Sequence, residues 1–192
     1  MLDSFDAIRQ DIAARLADGA SDRSSAMHTP VVATQDADLR IMVLRAFDPS
    51  DWTLRFHTDV RAPKVAAVGR GGPVGVLAYD KGAKVQLRLR GRGTILTQGA
   101  LVDDVWRGSD AYARRCYLGD APGAAADRPV SGLPEAMEGV RPSETELVPA
   151  RRNFAVLLVH IERADWFSLA HTGHRRAILS GEDLRDGSWL AP

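Results

Sequence analysis

At 192 residues the chain has the length of one compact domain with a core of its own. Its 25 basic and 25 acidic residues cancel, which excludes the global field that draws a protein to nucleic acid or to a membrane surface. The lone Cys116 excludes an intrachain disulfide and a cysteine-built zinc site, and no apolar run approaches the ~20 residues that span a bilayer.

The opening MLDSFDAIRQD is acidic and amphipathic, unlike a basic-then-apolar signal peptide, so a cytoplasmic location is expected. Phe5, Ile8, Ile12 and Leu16 recur at helical spacing and predict a helix over residues 3–18, capped by Asp3 or Ser4 and ended by Gly19. TPVVATQ and LRIMVLRAF are rich in β-branched and aliphatic residues and predict two strands. DPSD is a turn, and WTLRFHTD alternates apolar with polar residues as a returning strand. A helix then starts near Arg61, with Pro63 in its first turn, where a missing N–H costs nothing, and Gly69, Gly71 and Gly72 at its end.

PVGVLAYD and VQLRLRGRGTIL predict two more strands joined by DKGAK, with Gly91 and Gly93 marking a bulge or bend. Residues 100–118 predict a second helix carrying Leu101, Val105, Tyr112 and Tyr117. Residues 119–149 are poor in large apolar side chains and read as a long loop that is functional, disordered or a subunit contact. FAVLLVHIERADWFSLA is a long strand, and HRRAILS pairs back with it through Thr172–Gly173. About six or seven strands with two or three separate helices predict a mainly β fold, a closed antiparallel barrel with helical appendages, as one domain over 1–192.

Little in the sequence carries chemistry by itself. His28, His57, His160, His171 and His174 have no partner at metal-ligand spacing, so no metal site is expected. No G-x-S-x-G elbow is present, and the glycines at 69–72 lack the lysine of a phosphate loop. The basic group at Arg40, Arg61 and Lys64, with Thr58, is either a set of solvated charges or a cradle of donors for a phosphate. Gln86 stands inside a strand where an apolar residue is ordinary; it either faces solvent or bonds the edge of a heterocycle. Trp166 and Arg176, across a hairpin, either frame a planar ring or leave Trp166 as plain core.

Taken together these segments resemble the pyridoxamine 5′-phosphate oxidase family and its relatives with an FMN-binding split barrel, from Arg40 to the C-terminus. RIMVLR at 40–45 is similar to the family's R-x-V-x-L-[KR] strand, and HTDVRAPK at 57–64 to its [YH]-T-[ND]-x-x-S-R-K segment, with Ala62–Pro63 replacing serine and arginine. Gln86 falls at the flavin-binding glutamine, DWFSLAHTGHRR resembles the W-x(9)-R hairpin, and WLAP the R-L-[AS]-P ending.

The resemblance implies FMN along Arg40, Ile41, Met42, Val43 and Arg45. Its phosphate would lie near Arg40, Thr58, Arg61 and Lys64, with Arg61 supplying the missing guanidinium and His57 a further cofactor contact. Gln86 would meet the ring edge, and Trp166 and Arg176 would reach across a homodimer in which the cofactor lies between subunits. His174 and Arg45 are the implied catalytic residues, with Tyr112 and Arg114 or Arg115 facing the site from the second helix. Thr172 stands where the oxidase proper has a substrate arginine. The expected function is therefore FMN-dependent oxidation or reduction of an unidentified small molecule. Pyridoxamine/pyridoxine 5′-phosphate oxidase proper and a non-enzymatic flavin-binding module are the alternatives, and related barrels hold deazaflavin or haem.

Overall fold

The computed structural model describes residues 2–192. Helix α1 (Phe5–Ser21) precedes strands β1 (Val31–Thr34), β2 (Leu39–Ile41), β3 (Ala46–Asp48) and β4 (Thr53–Asp59). Helix α2 (Pro63–Val68), β5 (Arg70–Asp80), β6 (Val85–Leu96), α3 (Ala100–Gly108) and α4 (Ala111–Arg115) follow. After a long connection come the single turn α5 (Glu144–Leu147), β7 (Phe154–Ser168), β8 (Arg175–Ser180) and β9 (Asp186–Leu190). All strand pairings are antiparallel, in the order β2-β1-β5-β6-β7-β4-β3.

The two ends of that order are one stretch of chain. LRIMVLRAF is not a single strand: β2 pairs with β1, β3 pairs with β4, and residues 42–45 cross between them. Along the crossing, Met42 N–H donates to Pro30 O (3.0 Å), Leu44 N–H to His28 O (2.8 Å) and Arg45 N–H to Arg55 O (2.9 Å). The segment is thus hydrogen-bonded to both ends of the strand order, which it joins through the chain itself.

The barrel splits at β7. Its first half pairs with β4 and its second half with β8, while β6 runs along the whole of its other edge. The register slips at Arg90/Gly91, where Glu162 is the extra residue on β7. Gly91 is required at this point, because a Cβ there would lie 1.8 Å from His160 O. The expected bulge is present, carried by the partner strand.

Helix α1 covers the opening between the barrel and the β8–β9 ribbon. Ile8, Ile12 and Leu16 are buried in the main core with Trp52, Leu54, Leu179 and Leu184, each burial contributing about 1.5–3 kcal/mol. The helix begins two residues later than position 3 because Ser4 is the cap, its Oγ accepting from Ala7 N–H at 3.2 Å. It also runs past Gly19, which serves close packing: a Cβ there would sit 2.7 Å from Met27 Cβ.

Two further expectations are corrected. Residues 100–118 are not one helix, since Asp110 starts α4 afresh by accepting from Tyr112 N–H at 2.8 Å. Among the described residues the strands number nine rather than six or seven, because 39–48 divides and the exposed DGSWL pairs with β8. A second core of Val102, Trp106, Ala111, Leu147, Ala150, Phe154 and Val156 fastens α3 and α4 to the outside of the barrel. Among the described residues no helix is long and apolar enough to cross a membrane.

Candidate cofactor site at the barrel end

Strand alternation sends Leu54, Phe56 and Thr58 inward and Arg55 and His57 outward along β4. Arg40 is the register partner of buried Val32, so it too points toward the barrel interior, at the end plugged by α2. Its guanidinium donates to Thr34 Oγ1 (3.1 Å) and Val32 O (3.3 Å) and pairs with Asp38. Proline at the first helical position of α2 puts Lys64 on the opening turn. Lys64 is half-buried, and its hydrogen bond to Thr58 Oγ1 is long, at 3.5 Å. Among the described residues no carboxylate lies within ion-pair distance of it. Burial, and then the nearby Arg40 charge, push the Lys64 ammonium below its usual pKa. The Arg40–Asp38 ion pair, the unpaired Lys64 ammonium and a buried hydroxyl therefore converge, with Asp38 and Asp59 the carboxylates nearby.

Arg61 does not join them. Its guanidinium is bidentate to buried Asp59 (2.9 and 2.7 Å) and reaches the carbonyls of Gly119 and Asp120 (3.0 and 3.4 Å). The two-residue offset points it at the start of the 119–149 loop instead of at Lys64. Of the crossing strand, Ile41 is exposed on the outer face, Met42 is core, and Val43 and Arg45 line a cavity described below.

The remaining expected residues lie elsewhere in the chain. Gln86, Phe167 and Arg176 are successive register partners across β6, β7 and β8 and share the outer face of the sheet. Arg176 donates to Asp165 at 3.0 and 2.8 Å, and its guanidinium stands 5.8 Å from the Phe167 ring. His174 meets the same ring edge-on at 5.8 Å. Trp166, by contrast, is the partner of Leu87 and Ala177, both fully buried, and is itself buried. Its indole faces the interior while Arg176 faces out, because Arg176 sits opposite Phe167, one residue along. Within one chain they do not frame a ring, and of the two sequence readings the core one describes Trp166.

A cavity of about 1190 Å³ lies between the outer face of β4 and helices α3 and α4. Arg45, Arg55, His57 and Tyr112 line it together with Arg141 of the long connection. His57 is pushed down to about 4 by burial and by the charges of Arg45 and Arg55. Arg114 and Arg115 turn away from it. Arg114 is buried against Trp106 and paired with Glu144, and Arg115 holds the carbonyls of Met137 and Val140. The connection is thereby tied to α4 between Met137 and Glu144. Arg55 escaped assignment from sequence: alternation gives its face, but nothing local says which helices roof that face.

Residues 8–97 match the family described as "Pyridoxamine 5′-phosphate oxidase, FMN-binding domain". Over these 90 of its 192 residues the chain is similar to that family. The match begins earlier than the sequence resemblance, taking in α1, and it ends at the close of β6. It includes Arg40, Thr58, Lys64 and Gln86 and excludes the hairpin of Trp166 and Arg176.

Solved structures share the fold of this FMN-binding split barrel. A pyridoxamine 5′-phosphate oxidase-related, FMN binding protein from Nostoc punctiforme PCC 73102 superposes with a TM-score of 0.70 at 24% identity, over 96% of each chain. PhzG from Burkholderia lata 383, solved in complex with tetrahydrophenazine-1-carboxylic acid, gives 0.65 at 14% identity, over 100% of this chain and 98% of that one. A protein from Clostridium acetobutylicum related to general stress protein 26 of B. subtilis gives 0.53 at 12% identity, over 86% and 91%. No curated protein matches the chain.

For a family defined by an FMN-binding domain, the barrel end offers a suitable donor set. The half-buried Lys64 ammonium without a carboxylate partner is what an incoming dianion requires, with Arg40 and the Thr58 hydroxyl beside it.

Proposed function

We propose that the protein is an FMN-dependent oxidoreductase acting on a small molecule, working as a homodimer with the cofactor between subunits. The observation that carries the cofactor assignment is Lys64, a poorly compensated cation beside Arg40 and Thr58 within the span that matches the family. Lys64 and Arg40 would hold the FMN phosphate, and Thr58 would donate its hydroxyl. When bound, FMN supplies two-electron chemistry by accepting or returning a hydride.

The dimer is supported by the division of the expected residues between two faces, with Phe167 added by the structure between Gln86 and Arg176. Gln86, Phe167, Arg176 and His174 lie on the outer sheet face, whereas Arg40, Thr58 and Lys64 lie at the barrel end. A second copy is the simplest way to bring both sets to one flavin. The same outer face exposes Leu39, Ile41, Leu77 and Tyr79, large apolar side chains suited to burial against another subunit. Asp165 fixes Arg176 there, so its guanidinium would meet the flavin edge already oriented. Arg45, at the far end of the crossing segment from Arg40, would act on the substrate side. The pyridoxamine-phosphate reading is the weaker one, because Thr172 and Gly173 form an exposed turn with no guanidinium where that substrate's arginine is expected.

The test is to load purified protein with FMN and follow flavin absorbance during anaerobic addition of a nicotinamide donor, then readmission of oxygen or another acceptor. Reduction and reoxidation are expected. A bound flavin that no donor reduces would leave a non-enzymatic flavin-binding module.

A further inference from the structure

We infer that the hollow on the outer face of β6, β7 and β8 binds a dianionic phosphate group, free or as the head of a phosphomonoester, between Arg90 and Arg163. Neither residue is among the donors assigned to flavin, and the inference stands whether or not flavin binds.

The first argument is charge. The hollow has a volume of about 270 Å³, and four arginines line it, Arg88, Arg90, Arg163 and Arg176, around one carboxylate, Asp165. That carboxylate is fully engaged. Arg176 donates to both of its oxygens, and Arg88 pairs with Oδ2. Asp165 thus accounts for two of the four cations. Arg90 and Arg163 are exposed, and neither has an ion pair or a side-chain hydrogen bond among the described residues.

The second argument is register. Alternation turns Arg88 and Arg90 to one face of β6, with Leu87 and Leu89 buried on the other. An unbroken ladder would set Arg90 opposite Glu162, a pair of opposite charges. The bulge in β7 sets it opposite Arg163 instead, and Glu162 turns to Arg92 at 3.3 Å. Like charges directly opposite across a ladder are destabilising. The slip therefore exchanges an attractive pair for a repulsive one at the mouth of a hollow. An anion seated between the two guanidinium groups turns that repulsion into charge-assisted hydrogen bonds.

The third argument is fit. Two planar guanidinium forks side by side match the several oxygens of a phosphate better than the single pair of a carboxylate. Ser180 is the register partner of Arg163, which places a hydroxyl on the same face as a further donor. Ile178 and Leu190 supply the apolar part of the hollow, where the body of a phosphomonoester would rest.

The experiment is thermal denaturation of the full chain with inorganic phosphate and with phenyl phosphate, at an ionic strength held constant with chloride. It is run in a Lys64→Ala background, so that phosphate drawn to the barrel end does not contribute. Phosphate at about ten times its dissociation constant should raise the melting temperature by about 3 °C or more. Arg90→Met should weaken phosphate binding about tenfold or more. Arg163→Glu should restore an opposite-charge pair with Arg90, melting higher than its parent without phosphate and no longer responding to it. Tighter binding of phenyl phosphate identifies a phosphomonoester, equal binding identifies free phosphate, and both support the site. No stabilisation by either probe overturns the inference and leaves the arginine pair to acidic side chains of a second copy. A phosphate response unchanged in Arg90→Met and Arg163→Glu overturns it as well. If Lys64→Ala does not fold, the same variants are compared in the wild-type chain. Flavin absorbance of the wild-type chain tests the cofactor reading separately, since neither outcome there alters the phosphate response of Arg163→Glu.

Discussion

The indole N–H of Trp166 donates to Asp11 Oδ2 at 2.8 Å, and the same oxygen takes the Nε–H of Arg15 at 2.9 Å. Arg15 continues to Asp80 at 2.8 Å. One carboxylate of α1 thus joins the interior of β7 to the end of β5. Asp11→Ala should leave the buried indole unpaired and cost about 1–3 kcal/mol in urea denaturation. It should leave FMN affinity nearly unchanged, because Trp166 points into its own chain. An Asp11→Ala protein of full stability but weakened flavin binding would mean that the indole serves the cofactor after all.

The close approach at the split of the barrel gives a sharper test of the fold. Gly91→Ala places a methyl 1.8 Å from a backbone oxygen of the adjacent strand, where no side-chain motion relieves it. Loss of several kcal/mol, or failure to fold, is expected. Gly75→Ala on the neighbouring strand meets Ala33 Cβ at an ordinary 3.8 Å and should be tolerated. Thermal melting of the two variants side by side checks the contrast.

His57 sets a pH dependence. Its folded value of about 4 lies below the ~6.5 of an unfolded chain, so the unfolded state binds more protons between those limits. Stability therefore rises with pH across that window: the contribution is complete above about 6.5 and is lost as pH falls toward 4. The shift corresponds to roughly 3 kcal/mol at 1.36 kcal/mol per unit. His57→Gln should flatten this part of the denaturation profile. In wild type the imidazole NMR signals should show no titration between pH 5 and 8, and Arg55→Met should raise the pKa by removing a cation.

Much of the architecture was legible because it rests on local periodicity. The helical spacing of Ile8, Ile12 and Leu16 and the alternation of VQLRLRGRGTIL each specify a face, and the structure uses those faces. What escaped depends on distant chain. Nothing between Arg40 and Phe47 states that one half pairs with β1 and the other with β4; only closure of the barrel makes that division. The exposed DGSWL lacks an alternating pattern because neither of its faces is buried. At the candidate site, Lys64 and Thr58 stand together because the strand feeds directly into α2. Arg61 was misjudged because counting residues does not reveal that Asp59, two positions back, captures its guanidinium. Trp166 and Arg176 were linked by spacing along a hairpin, and the hairpin register assigns them to opposite faces.

The most direct measurement is the equilibrium binding of FMN to the purified protein, by absorbance with mass spectrometry of the released cofactor, in wild type, Lys64→Ala and Arg61→Ala. Wild type should hold FMN. Lys64→Ala should bind it about 10–100-fold more weakly, from loss of a charge-assisted bond of ~1.5–3 kcal/mol, while Arg61→Ala should keep most of its affinity and lose stability at the uncovered Asp59. A colourless wild-type protein that gains no thermal stability from added FMN would contradict the account, as would a Lys64→Ala protein that binds FMN as tightly as wild type.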